Sequence, residues 1–230
     1  MVKENLLKVH QRILEVCSKI NRDPRQITIV AISKGRTTDQ IIEAINAGIT
    51  DIGENRVKEA TVKYNLLKVT PYIQKIKWHM VGHLQTNKVK EAVRIFDLIH
   101  SVDSLHLAQE IDKQAARINK IQDILFEVKT SSEETKFGLK PNEITELLRE
   151  ASKLKNISIK GLMTIAPLVY NPEQARPYFR MLREIRDDIN LMRISNCDLS
   201  VLSMGMTNDF EIAIEEGATM IRLGRAIFGE

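Results

Sequence analysis

Cysteine is nearly absent from this 230-residue chain. Cys17 and Cys197 are the only two, and both sit among apolar residues. That excludes a disulfide scaffold and a cysteine-rich metal site, and it points to two reduced, buried thiols. Proline and glycine are sparse too, at 6 and 10 residues, and no Gly/Ser/Pro-rich linker or low-complexity stretch divides the sequence. One domain over residues 1–230 is therefore expected. No Asn-Gly or Asp-Gly joins two strand-like runs, which argues against antiparallel hairpins. No stretch approaches the ~20 apolar residues that cross a bilayer. The amino terminus, MVKENLLKVHQRILEV, mixes charged and apolar residues at helical spacing and so does not resemble a signal peptide. A cytoplasmic protein without a membrane partner is expected. A large excess of one charge is missing as well. Lys+Arg 34 against Asp+Glu 30 gives +4, spread too thinly for a nucleic-acid surface but compatible with small anionic ligands.

What is present is an ordinary globular composition, 43% hydrophobic and 28% charged. At this length about 70 to 75% of the unfolded chain's surface can be buried, so no metal is needed to hold a core together. Short β-branched runs recur eight times, at residues 27–33, 49–53, 76–82, 97–102, 124–130, 157–165, 198–205 and 219–224. Segments of helical period lie between them, among them 39–47, 57–67, 105–117, 144–154, 172–189 and 208–216. Several of the strand runs are almost continuously apolar, as parallel strands covered on both faces must be. Eight βα units in this length fit a single (β/α)₈ barrel, with a helix over residues 3–20 as an extra amino-terminal element. The rival, an open doubly wound sheet, would show fewer strands and a glycine-rich first turn, whereas here that turn reads SKGRTT.

In such a barrel the active site lies at the carboxyl ends of the strands. The residues there are Lys34; Glu54 and Asn55; His79 and His83; His100 and Asp103; Lys129 and Thr130; Met163 and Thr164; Ser203 to Met206; and Arg222, Gly224 and Arg225. Lys34 closes the apolar run VAISK, where desolvation would favour the neutral, nucleophilic amine suited to a Schiff base. The alternative is a lysine that only snorkels to solvent. The last two strands run into small residues and short helix starts, which can hold a phosphate. Thr207 and Asn208 read equally well as helix N-caps. His79 and His83, four apart in WHMVGH, do not share a face on a strand, so no metal site is expected, and each is read as a hydrogen-bonded strand-end residue. His100 and His106 read as structural or solvent-facing. The charged run Glu133, Glu134 and Lys136 reads as a solvated loop.

Six ordered blocks carry a more specific signal: VAISK ending at Lys34, GENRVKE (53–59), WHMVGHLQTNK (78–88), SSEETKFG (131–138), GLMTI (161–165), and LSMGMTND (202–209) through Gly229. Together they closely resemble the pyridoxal phosphate homeostasis protein family. The resemblance implies a barrel similar to the amino-terminal domain of alanine racemase, binding pyridoxal 5′-phosphate. It matches Lys34 to the lysine that forms the internal aldimine, and Asn55 and Met163 to residues lining the ring pocket. It matches Ser203, Gly224 and Arg225 to phosphate-holding positions, and Arg222 to the arginine that faces the pyridine nitrogen. A fixed guanidinium there would weaken the cofactor as an electron sink. No catalytic residue follows from the resemblance. The expected role is to hold, buffer or supply the cofactor to apo-enzymes that depend on it. The chain stops soon after its eighth strand, leaving no room for the second domain of the racemases, so racemase activity is disfavoured and a monomer is expected. Two other readings compete: an amino-acid racemase, and a barrel enzyme that uses the phosphate loops on a phosphorylated sugar.

Overall fold

The computed structural model describes residues 1–131 and 137–229. The apolar runs form eight short parallel strands: β1 (Thr28–Ile32), β2 (Asp51–Glu54), β3 (Lys77–Met80), β4 (Leu98–Val102), β5 (Gln122–Glu127), β6 (Ile157–Met163), β7 (Cys197–Ser203) and β8 (Met220–Leu223). Each pairs with its sequence neighbours, and β8 pairs back onto β1, so the sheet closes into a barrel and leaves no edge. The helices are α1 (Val2–Lys19), α2 (Thr38–Asn46), α3 (Val57–Leu67), α4 (Val89–Ile95), α5 (Leu105–Ala116), α6 (Ile144–Ala151), α7 (Arg176–Leu191), α8 (Phe210–Glu215) and α9 (Arg225–Phe228).

Side chains alternate along each strand, and this divides the apolar residues into two groups. Ala31, Ile52, Trp78, Ile99, Ile124 and Ile221 belong to the large layer between sheet and helices. Val30, Leu98, Leu125, Met163 and Met220 pack against one another as a separate cluster that fills part of the barrel interior. The helix starts follow local chemistry. Thr37 and Gln40 form a reciprocal capping box on α2, and the Ser104 hydroxyl accepts the Leu107 N–H at the start of α5. Buried Val2, Leu6, Val9, Ile13, Val16 and Cys17 recur at three- and four-residue spacing on α1. That stripe flanks the barrel against α2, α8 and α9, which is the extra element expected from the sequence.

Three details differ from the sequence reading. Helix α4 was not anticipated, because its apolar residues Val89, Ala92, Val93 and Ile95 run almost directly into the apolar strand β4 and blur the period. Cys17 is buried as expected, but Cys197 is only half-buried. The N-cap of α8 is Asp209, not Thr207 or Asn208. The run Glu133, Glu134 and Lys136 lies outside the described residues. Among the described residues no helix is long and apolar enough to cross a membrane.

Between β6 and β7 the register shifts, and the two backbones approach closely at Gly161. A Cβ built on Gly161 would lie 1.9 Å from the Val201 carbonyl oxygen, so only glycine fits. Gly161→Ala is expected to cost roughly 3 kcal/mol or more by chemical denaturation, because backbone rather than a side chain would have to move. A loss below about 1 kcal/mol would show that the two strands can separate freely.

Candidate functional site

At the carboxyl ends of the strands the barrel opens into a cleft of about 1130 Å³. Lys34, Asn55, Arg222, Gly224 and Arg225 line it, so five of the residues singled out from the sequence meet in one place. The loop following β6 supplies a rim, with Leu168 and Tyr170 fully exposed. Among the described residues, five cationic side chains (Arg12, Lys34, Arg36, Arg222 and Arg225) and one carboxylate, Asp209, line the cleft. Such a lining attracts anions.

Lys34 is exposed at the cleft mouth rather than enclosed by apolar walls, so the desolvation expected from its sequence context is not there. Its backbone is held by a different device. Just before it, the Ser33 carbonyl accepts a hydrogen bond from Lys63 Nζ at 2.6 Å, and just after it, the Gly35 N–H donates to Glu59 at 2.7 Å. Lys63, nearly buried on α3, also meets Glu54 at 2.6 Å and Glu59 at 2.7 Å. Glu54 is fully buried and receives the Ser33 hydroxyl as well. Burial pushes the Glu54 carboxyl up, although Lys63 and Ser33 pull it down. The block GENRVKE thus supplies two carboxylates that, with Lys63, fasten the turn carrying Lys34. Asn55 is placed by a neighbouring glycine: a Cβ on Gly82 would fall 2.3 Å from the Asn55 carbonyl oxygen.

Arg222 forms the floor of the cleft and is 4% exposed. Its Nη1 donates to Ser203 Oγ at 2.8 Å and its Nη2 to the Thr164 carbonyl at 2.9 Å. Burial lowers the guanidinium to about 10, opposed by Glu127 and Asp209, so it stays charged at neutral pH. Two expected site residues lie elsewhere. Ser203 is fully buried, does not line the cleft, and has its hydroxyl between Arg222 and His100. Met163, also fully buried, packs in the interior apolar cluster rather than against the cleft. Both point inward because a strand's last residues still alternate between interior and exterior, which position in sequence alone does not reveal. A hydroxyl residue that does line the cleft is Thr207, which accepts the Ala226 N–H at 3.3 Å and so joins the loop after β7 to the start of α9.

Below the floor one polar row crosses the barrel interior. Asp51 Oδ1 lies 2.9 Å from His79 Nε2, His79 Nδ1 lies 2.9 Å from His100 Nε2, and His100 Nδ1 lies 2.9 Å from Ser203 Oγ. His79 and His100 are therefore hydrogen-bonded structural residues, as read from the sequence. Asp51, the buried carboxylate at the end of this row, was missed. Its signal was a charged residue at the start of a strand that is buried along its whole length. His83 instead stacks on Phe137, 3.8 Å between ring centres, with Nδ1 3.3 Å from Asp103. Among the described residues no group of three or more His, Cys, Asp or Glu could hold a metal ion.

Comparison with known proteins gives a consistent result. A family model described as the alanine racemase N-terminal domain matches residues 5–230. The pyridoxal phosphate homeostasis protein of Aquifex aeolicus (strain VF5) is 45% identical over 227 residues, 99% of this chain and 97% of its own length. The protein of the same name from Escherichia coli (strain K12) is 33% identical, with 99% and 96% covered. The solved structure of PipY from Synechococcus elongatus PCC7942 with PLP bound has a TM-score of 0.86 and 34% identity, with both chains covered completely. An alanine racemase of Clostridium difficile 630 shares the fold at a TM-score of 0.75 and 15% identity, and this chain covers 56% of it.

Two outcomes follow from the site's electrostatics. Lys63→Met leaves Glu54 buried without its cation and is expected to lower stability by about 3 to 5 kcal/mol in denaturant titrations. Adding Glu54→Gln should recover part of that loss, since no lone charge then remains inside. The second outcome concerns Glu127, whose carboxyl burial pushes up to about 7 against the pull of Arg222. The folded value lies above the unfolded one, so its stabilising contribution is complete at acid pH and is lost as pH rises through about 7. Glu127→Gln should therefore stabilise the protein more at pH 8 than at pH 5, by roughly 2 kcal/mol. Equal effects at the two pH values would contradict the buried carboxyl.

Proposed function

The chain belongs to the pyridoxal phosphate homeostasis protein family, and from that membership we propose that it binds pyridoxal 5′-phosphate in the cleft and serves to hold and supply it. The carrying observation is the convergence of Lys34, the joined loops after β7 and β8, and the buried Arg222 around one cationic opening. The donor set suits the cofactor: an exposed amine for its aldehyde, cations and a hydroxyl for its phosphate, and a guanidinium for its ring edge. When bound, the cofactor supplies an aldehyde that takes up an amine with loss of water and a ring that accepts electron density.

The protein's own residues divide that task. Lys34 offers the amine, on a turn that Lys63 and Glu59 keep in place. Thr207 and the backbone N–H groups of Gly224 and Arg225 are assigned to the phosphate, with the Arg225 and Arg36 guanidinium groups adding charge. Asn55 is assigned to the ring's flank and Arg222 to the ring nitrogen. A fixed cation at that nitrogen disfavours its protonation, which supports holding the cofactor over carbanion chemistry. We therefore read the protein as a carrier without turnover, acting in the cytoplasm, whose recipients are apo-enzymes that need the cofactor. Exposed Leu168 and Tyr170 beside the cleft offer such a partner an apolar contact.

The expected result of adding pyridoxal phosphate is a visible absorption band that borohydride fixes onto the peptide containing Lys34. Lys34→Ala should lose the band while its stability stays within about 0.5 kcal/mol of the parent, as for an exposed residue. A band retained in Lys34→Ala would remove Lys34 from the role, and sustained deuterium exchange at the α-carbon of alanine would replace the carrier with an enzyme.

A further inference from the structure

The four polar side chains beneath Arg222 use up one another's hydrogen-bonding capacity in a particular order. They come from β2, β3 and β4 and then cross the interior to β7, where Ser203 meets Arg222 of β8, so they are not neighbours on one strand pair. An arginine can only donate and a carboxylate can only accept. An imidazole with one proton donates at one nitrogen and accepts at the other, and a hydroxyl donates once. One assignment satisfies every link. Arg222 donates to Ser203, the Ser203 hydroxyl to His100 Nδ1, His100 Nε2–H to His79 Nδ1, and His79 Nε2–H to Asp51. A second proton on His79 would reverse the two middle links and leave the Ser203 proton without an acceptor within this set. Complete burial independently disfavours a charged His100. At the far end the Thr50 hydroxyl donates to the other oxygen of Asp51 at 2.6 Å, so the carboxylate is engaged on both sides.

We propose that Asp51, His79, His100 and Ser203 form one hydrogen-bond chain of fixed direction that positions the Arg222 guanidinium from the opposite wall of the barrel. Its consequence for the cofactor rests on the reading above, in which Arg222 faces the ring nitrogen. The residues in the chain are positioning residues, since only Arg222 among them lines the cleft. Packing alone does not require them: the neighbouring interior layer of Val30, Leu98, Leu125, Met163 and Met220 is filled with apolar side chains. A polar row is retained where its end is a buried cation that needs its donors aimed. The Thr164 carbonyl fixes Nη2 and the chain fixes Nη1, so the guanidinium plane is set by two acceptors, with the charges of Glu127 and Asp209 near it.

The chain itself is tested without cofactor, by nitrogen-15 NMR of the histidine rings at pH 7. The expected result is a proton on Nε2 of both His79 and His100, with Nδ1 of each accepting. A proton on Nδ1 of either ring overturns the fixed direction. Its effect on Arg222 is tested by absorption titration of the protein loaded with pyridoxal phosphate, comparing Arg222→Leu, His79→Leu and His79→Gln. Glutamine can accept from His100 and donate to Asp51, so it should keep the parent pH midpoint. His79→Leu cuts the chain and should move the midpoint toward the ring-protonated form by about one unit, in the same direction as Arg222→Leu. If Arg222→Leu shifts the spectrum and His79→Leu does not, the positioning role is wrong while the cofactor reading stands. If neither shifts it, Arg222 does not face the ring, and the chain's role toward the cofactor falls with that reading. Should His79→Leu fail to fold, Ser203→Ala breaks the next link and carries the same expectation.

Discussion

A guanidinium withdrawn from water inside a barrel must be compensated from within, and much of this protein's interior is organised by that need. Arg222 is 4% exposed, so its donors need acceptors supplied by the protein. Ser203 and the Thr164 carbonyl take two of them. Satisfying Ser203 in turn requires His100, satisfying His100 requires His79, and the row stops only at a carboxylate, Asp51, which needs no further acceptor. One buried cation thus explains polar residues on four other strands, including the buried pair His79 and His100. Glu127 is the opposing case: burial pushes its carboxyl up to about 7 even though the same cation pulls it down.

The other half of the cleft depends on a second buried charge, arranged by the same logic. Lys63 is brought inside α3 by Glu54 and Glu59, and its remaining capacity is spent on the Ser33 carbonyl. A long, flexible lysine at the mouth is thereby mounted on a turn that cannot easily drift. The two networks do not share a residue, yet they fix the two functional poles separately: one aims a guanidinium from below, the other anchors the chain beside an amine from the side.

What the sequence disclosed and what it concealed follow the same division. All eight strands and the flanking helix were legible because parallel strands under helices must be apolar on both faces and α1 carries a clear stripe. Lys34, Asn55, Arg222, Gly224 and Arg225 were legible because they end strands, where a barrel gathers its chemistry. Ser203 and Met163 end strands too, but they face inward, and nothing in a linear pattern fixes the phase of a strand that is buried on both sides. Thr207 was hidden for a related reason: a threonine before an acidic turn looks like an N-cap, and only the crossing of two loops gives its hydroxyl to the cleft. Asp51 and Lys63 were invisible because each acts through a partner distant in sequence, Asp51 through His79 on β3 and Lys63 through the Ser33 carbonyl after β1.

The unequal exposure of the two poles bears on what the site is good for. An enzyme that generates reactive carbanions gains from excluding water around the reacting atoms. Here the amine of Lys34 is exposed, while the buried part of the site lies at the opposite end, around Arg222. An amine open to solvent can be reached by water, and Leu168 and Tyr170 are exposed on the rim of the same cleft. The structure therefore pairs tight orientation at the floor, set by buried charge, with an exposed amine at the mouth.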